Sequence, residues 1–228
     1  SLSELFDTMK DRASGRAVEE FREKLEECPP GCPCPAASKL PRIVFGAEYR
    51  KKNGEMKMAA CNGLVLLEVG NLSGYTEATE VRRKAAGSLQ TLLAFIGSSR
   101  KSVKIVVPFT LPDGSLPRNS ELAGWFHAHA YQLALNYYRM QLQRDIAFRQ
   151  PVIEQSCRIS YDPDLYYNPA AVPATLEQPL QMPGEPTFRD VKQQEPLPLQ
   201  RMEAGHERSS SVYLLYQVAL KKAIEEVK

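Results

Sequence analysis

Acidic and basic side chains stand at a few positions of this sequence where chemistry on phosphates or divalent cations is conceivable. Glu68 lies inside the apolar run Leu64-Val65-Leu66-Leu67-Glu68-Val69. A carboxylate in such a run is costly to bury unless a cation or a metal meets it, so Glu68 is either a metal ligand or a strand-end acid paired with a nearby Lys or Arg. Asp162 and Asp164, in Tyr161-Asp162-Pro163-Asp164, are spaced as metal ligands can be, and Asp-Pro-Asp is equally a turn opener. Arg100 and Lys101, in the polar loop Gly97-Ser98-Ser99-Arg100-Lys101-Ser102, are candidates for backbone phosphate, with a solvated loop as the alternative. Lys104 sits in an otherwise apolar strand, so its charge must reach a cleft or the surface, where a nucleotide phosphate is one partner. Tyr166 and Tyr167 offer rings on which bases stack, or which pack a loop onto the core.

Other chemistries find little support. The sequence contains no G-x-S-x-G, no Walker A and no G-x-G-x-x-G, which removes the usual hydrolase, ATPase and dinucleotide readings. His127 and His129 are two residues apart on a helical pattern and therefore diverge. Cys28, Cys32 and Cys34 crowd one Pro-rich loop with spacings unlike a zinc knuckle, and read as reduced thiols on a stiff cytosolic loop. Cys61 and Cys157 fall in apolar stretches as small core residues. A formal net charge of +2 over 228 residues neither announces nor excludes nucleic acid. The longest apolar run is far short of the ~20 residues a membrane span needs, and the N-terminus lacks an apolar signal region. The expectation is a cytoplasmic protein without a membrane partner.

The elements that would position these residues follow from apolar spacing. Leu5, Met9, Val18, Phe21 and Leu25 predict helix up to about Glu27, broken near Gly15. A strand is predicted from Arg42 to Tyr49, then an Asn53-Gly54 hairpin returning through Met56, Met58 and Cys61. The apolar run 64–69 suits a strand buried on both faces. A helix over 76–89, strands over 92–96 and 103–109, and a helix over 119–143 with a stripe of Leu122, Phe126, Leu133, Tyr137 and Met140 follow. A short strand is predicted over 157–161. The divisions expected are an N-terminal helical segment and Pro/Cys loop at 1–38, a core at 39–170, a Pro-rich arm at 171–208 and a C-terminal helix at 209–228. The fold class is α+β: a mixed sheet flanked by helices with a split β-α-β arrangement.

Three segments resemble a known family. Asn62-Gly63-Leu64-Val65-Leu66-Leu67-Glu68-Val69-Gly70-Asn71-Leu72 is similar to the strand motif (H/N)-(S/N)-G-L-I-x-L-D-I-D-x-L of the VirE N-terminal domain family, found in proteins of bacterial mobile elements and related to archaeo-eukaryotic primases. Val103-Lys104-Ile105-Val106-Val107-Pro108 resembles its second motif, and Ser160 to Pro169 its closing signature. The likeness runs from about Lys39 to Pro173. It implies a primase-polymerase-like core in which a sheet cradles nucleotide and template, with Mg or Mn held by acids for nucleotidyl transfer. Two acids at i and i+2 of a strand share a face and can grip one pair of ions.

Against that pattern, Glu68 stands at the first acid position and Gly70, which offers no ligand, at the second. Asp145 lies one or two residues from where the third is expected. Glu154-Gln155 replaces a Ser-Arg pair, and Arg100 and Ser102 replace loop glycines. The resemblance therefore implies a DNA-replication protein domain that binds DNA or nucleotide with degenerate catalytic acids, beside a helicase-like ATPase domain in the parent protein. Two alternatives are kept: an active metal-dependent primase or polymerase using Glu68 and Asp145, and a non-catalytic protein-interaction module whose final helix docks a partner.

Overall fold

The computed structural model of the chain describes residues 2–29 and 34–178. The elements run α1 (Leu2–Lys10), α2 (Arg12–Glu27), a 3-10 turn (Pro35–Lys39), β1 (Arg42–Val44), β2 (Ala47–Lys52), β3 (Glu55–Cys61), β4 (Leu64–Val69), α3 (Tyr75–Ala86), β5 (Leu93–Ile96), β6 (Val103–Thr110), α4 (Ser120–Leu142), β7 (Ser156–Arg158), β8 (Tyr166–Tyr167) and β9 (Ala174–Thr175).

The central sheet has the order β4-β6-β5-β8, with β9 against the end of β6. Both β4 and β5 run antiparallel to β6, so they are parallel to each other. Joined through α3 with β6 inserted between them, they form a split β-α-β unit. The β6–β9 pair is parallel and makes the sheet mixed. The fold class is α+β, as the sequence predicts.

Period-two alternation sorts the strand residues into two cores. Val65, Leu67 and Val69 of β4 join Ile105 and Val107 of β6 and the buried faces of α3 and α4. Leu64 and Leu66 face the other way, with Val106, Leu93 and Phe95, against Phe6 and Met9 of α1 and Cys157 of β7. Helix α1 thus completes the second face of the sheet, while Val18 and Phe21 of α2 form a smaller core with Cys34 and Leu40.

Several local departures from the sequence pattern have steric causes. The helix break falls at Asp11 rather than Gly15. Gly15 lies inside α2, at a close approach where a Cβ would stand 2.5 Å from the Tyr161 ring. The single strand predicted over 42–49 is two: β1 pairs with β7, and β2 with β3. The switch is at Phe45-Gly46, where a Cβ on Gly46 would meet the Ile153 carbonyl oxygen at 2.5 Å.

Helix α4 is capped by Asn119, whose side chain accepts from the Glu121 and Leu122 amides. Its predicted stripe is rotated: Leu122, Leu133 and Met140 are exposed, while Phe126, Ala130, Tyr131, Ala134 and Tyr138 face the sheet. Alanines let the helix approach closely, and the tyrosine hydroxyls find partners, Tyr138 with Thr91 at 2.6 Å and Tyr131 with the Arg149 amide at 3.0 Å.

The docked chain continues past residue 170. Ala174–Thr175 pairs with β6, and Leu176 is fully buried. The rest of the expected arm and the C-terminal helix lie outside the described residues. No described helix is long and apolar enough to cross a membrane.

Candidate functional site

The register of β4 and β6 sets Glu68 directly opposite Lys104. Alternation turns both toward the second face of the sheet, and Lys104 Nζ stands 2.6 Å from Glu68 Oε2. Lys104 is 7% exposed. Burial pushes its ammonium below the ordinary lysine range, and the Glu68 carboxylate pulls it back toward the charged form. A second cation reaches the same oxygen: Arg149 Nη2 lies 3.1 Å from Glu68 Oε2. Arg149 is held by its amide, which donates to the Tyr131 hydroxyl.

A cleft of about 450 Å³ opens beside this cluster, lined by Glu68, Gly70, Lys101, Arg144, Asp145 and Arg149 among others. Arg144 pairs with Glu77 at the start of α3. Hydrogen bonds from the Ser73 amide and hydroxyl, then from Arg144, pull the Glu77 carboxyl down to about 2. Asp145 is almost wholly exposed and lies 3.4 Å from Arg139 Nε. Lys101 is in no ion pair among the described residues. The lining therefore holds three cations, and its inner acid is already neutralised.

This donor set does not fit a pair of divalent ions. Glu68 is engaged by two cations, Gly70 supplies no ligand, and Asp145 points to solvent with an arginine beside it. No group of three His, Cys, Asp or Glu able to hold a metal occurs among the described residues. A metal at Glu68 would first have to displace Lys104, stranding a buried ammonium.

The other candidates lie elsewhere. Asp162 is buried: Oδ1 pairs with Arg82 of α3, and Oδ2 accepts from the Ile96 amide at 2.8 Å. Its carbonyl accepts from the Leu165 amide, closing the turn. Asp164 is exposed, 3.8 Å from Arg82 Nη2. Neither lines the cleft, so Glu68, Asp162 and Asp164 are not one ligand set. Tyr166 and Tyr167 form β8 beside β5. Tyr166 packs on the first core, and the Tyr167 ring lies against Phe6 with centroids 4.3 Å apart. Arg100 holds a left-handed backbone (φ 59°), with its guanidinium 5.6 Å above the Tyr75 ring.

Of the predicted residues, Glu68, Lys101 and Asp145 meet at the cleft, and Lys104 stands behind it as the partner of Glu68. Sequence reasoning missed Arg144 and Arg149. The available signal was their five-residue spacing with Arg139 on leaving α4, a run of arginines where no helical face remains to be solvated. His127 is buried, and burial drives its imidazole down to about 4. His129 Nδ1 lies 2.7 Å from the Gln178 carbonyl oxygen. Cys157 is pushed up to about 11, chiefly by burial, consistent with a core thiol. Cys34 is a buried free thiol, Cys28 is half-buried, and Cys32 lies outside the described residues.

Comparison with known proteins gives one family. A model described as "BT4734-like, N-terminal domain" matches residues 35–167, more than half of the chain. No curated protein and no solved structure matches significantly.

Proposed function

The chain belongs to the BT4734-like N-terminal domain family, and from the likeness of its segments to VirE N-terminal domains and the cleft beside Glu68 we propose a primase-like module that binds nucleic acid or nucleotide phosphate without polymerising it. The observation that carries the reading is the occupancy of Glu68 by Lys104 and Arg149 in a cleft also lined by Lys101, which is in no ion pair among the described residues, and by Arg144, which pairs with Glu77. A phosphate entering the cleft meets Arg149 and Lys101, which donate charge-assisted hydrogen bonds to its oxygens. The cleft's two acids are each paired with protein cations, Glu68 with Lys104 and Arg149 and Asp145 with Arg139, rather than grouped to collect the cations that activate a hydroxyl.

The likeness of three segments to VirE N-terminal domains, and the split β-α-β unit that carries two of them, support a mobile-element, plasmid- or phage-type replication protein as the parent. A helicase-like ATPase domain is its expected neighbour there, and the cytoplasm its compartment. Fluorescence anisotropy with labelled single-stranded DNA tests the binding: affinity at about 50 mM salt that falls as salt rises supports it. Absence of binding at that salt contradicts it.

A second reading is favoured by one feature, the convergence of Glu68 and Asp145 on the same cleft. In that reading the chain is an active, manganese-dependent nucleotidyltransferase. Incorporation of labelled nucleotide that is abolished by Glu68→Gln would establish it and defeat the binding-only reading.

A further inference from the structure

Next to the cleft, and sharing Ser99 and Lys101 with it, lies a smaller pocket of about 280 Å³. Its walls come from α2, the start of α3 and the 97–102 loop, and they carry three cationic side chains, Arg22, Arg100 and Lys101. Arg22 lies N-terminal to the 35–167 segment that defines the family. It is 8% exposed and tied down on one side: Nε donates to the Ser98 carbonyl at 3.0 Å and Nη2 to the Tyr161 carbonyl at 2.9 Å. Both acceptors are neutral, so its charge is not cancelled by contact. Burial, and then the nearby Arg100 guanidinium, disfavours its charge, and the more distant Asp162 and Glu19 carboxylates offset part of that cost. The one acid on the pocket wall, Glu26, is exposed, and it is in no ion pair with either arginine among the described residues.

Three cations converging on a concave wall, one of them buried without a contacting carboxylate, form an arrangement that an anion stabilises. The positive end of α3 at Gly74 and Tyr75 adds to the same field. The Gly97–Ser102 loop that presents Arg100 is closed by backbone bonds, Gly97 amide to Ser102 carbonyl at 2.8 Å and Arg100 amide to Gly97 carbonyl at 2.9 Å. Arg100 is thereby fixed in its left-handed conformation over Tyr75.

We propose that this pocket is a second phosphate-binding subsite, which with the cleft forms one track for the backbone of a single-stranded nucleic acid, Lys101 lying at the junction. The proposal rests on the binding function above and adds that the ligand is a polymer. A free nucleotide occupies one basic site, whereas two basic sites joined through a shared lysine suit phosphates repeated along a strand. The N-terminal helices thus take part in the interface as well as in the core.

The test uses Arg100→Asn, because asparagine tolerates the left-handed backbone while losing the charge. Affinities for an oligonucleotide of about ten nucleotides and for a nucleoside triphosphate are measured by anisotropy and calorimetry across a salt series. The result expected is oligonucleotide binding weakened about 3- to 10-fold, a log–log salt slope shallower by about 0.7, and triphosphate binding unchanged. Glu26→Gln, which removes the acid from the wall, tightens the oligonucleotide and leaves the triphosphate alone. An unchanged salt slope in Arg100→Asn, with the wild type binding normally, overturns the pocket alone. Loss of triphosphate binding with oligonucleotide binding intact assigns the pocket to a free nucleotide and overturns the track. A wild type that binds no oligonucleotide overturns both this proposal and the function it rests on.

Discussion

Two acids that the sequence offers as metal ligands, Asp162 and Glu68, each meet a cation from another element, yet they sit in opposite surroundings. The Asp162 side chain is 1% exposed, closed against Arg82, and its second oxygen takes the Ile96 amide. Each carboxylate oxygen has a protein donor, and the pair links the turn before β8 to α3 and to the end of β5. Glu68 shares its carboxylate between buried Lys104 and half-exposed Arg149, and one side of that cluster opens on a cleft. The first pair is sealed and serves the fold; the second is open and leaves cations within reach of a ligand. Charge pairing by itself does not distinguish structure from function. Access does.

The largest effect expected from this contrast is at the sealed pair. Asp162→Ala leaves a buried guanidinium without its carboxylate and the Ile96 amide without an acceptor, at a cost of about 3–5 kcal/mol in urea denaturation. Loss of less than about 1 kcal/mol would mean that Asp164 takes over and the pair is not sealed.

The His127 imidazole, also buried, with its Nδ1 3.4 Å from the Pro151 carbonyl oxygen, gives the next effect. Its folded value of about 4 lies below the ordinary 6.5, so the unfolded chain binds the proton more readily. Its stabilising contribution is complete above about pH 6.5, falls as pH drops toward 4, and reaches a loss of about 2 kcal/mol near pH 5. His127→Gln should remove that component of the pH dependence, as read from the difference between the two stability profiles. Parallel profiles would contradict it.

At the open cluster, Lys104→Met removes a buried charge while keeping an apolar stem, and Glu68 retains Arg149. The expected change in stability is within about 1 kcal/mol, far below that of Asp162→Ala. A comparable loss at both sites would erase the contrast. Smallest of all is Arg16→Ala, which breaks an exposed pair with Glu20 at 3.3 Å on α2 and should cost no more than about 0.5 kcal/mol.

Much of the frame was legible because apolar spacing is a local signal. The hairpin at Asn53-Gly54, the doubly covered β4 and the α+β class follow from residues close in sequence. What was not legible depends on contacts between distant segments. Gly46 passes close to the Ile153 carbonyl where the strand splits, Gly15 lies under the Tyr161 ring inside α2, and the tyrosine hydroxyls of α4 find partners on distant segments. The site was half visible. Glu68 stood out as a charge in an apolar run, but its partners come from β6 and from beyond α4, and no spacing rule joins positions 68, 104 and 149. Asp162 looked like Glu68 in sequence because burial of an acid leaves no mark on its neighbours.

At the centre of the account stands the claim that Glu68 is held by protein cations and leaves the cleft to anions. The most direct check is the affinity of Glu68→Gln for single-stranded DNA at about 50 mM salt, with and without manganese. If the acid only offsets Lys104 and Arg149, losing its charge makes the cleft more positive, and binding tightens about 2- to 5-fold without responding to manganese. Binding that requires manganese in the wild type and disappears in Glu68→Gln would contradict the account.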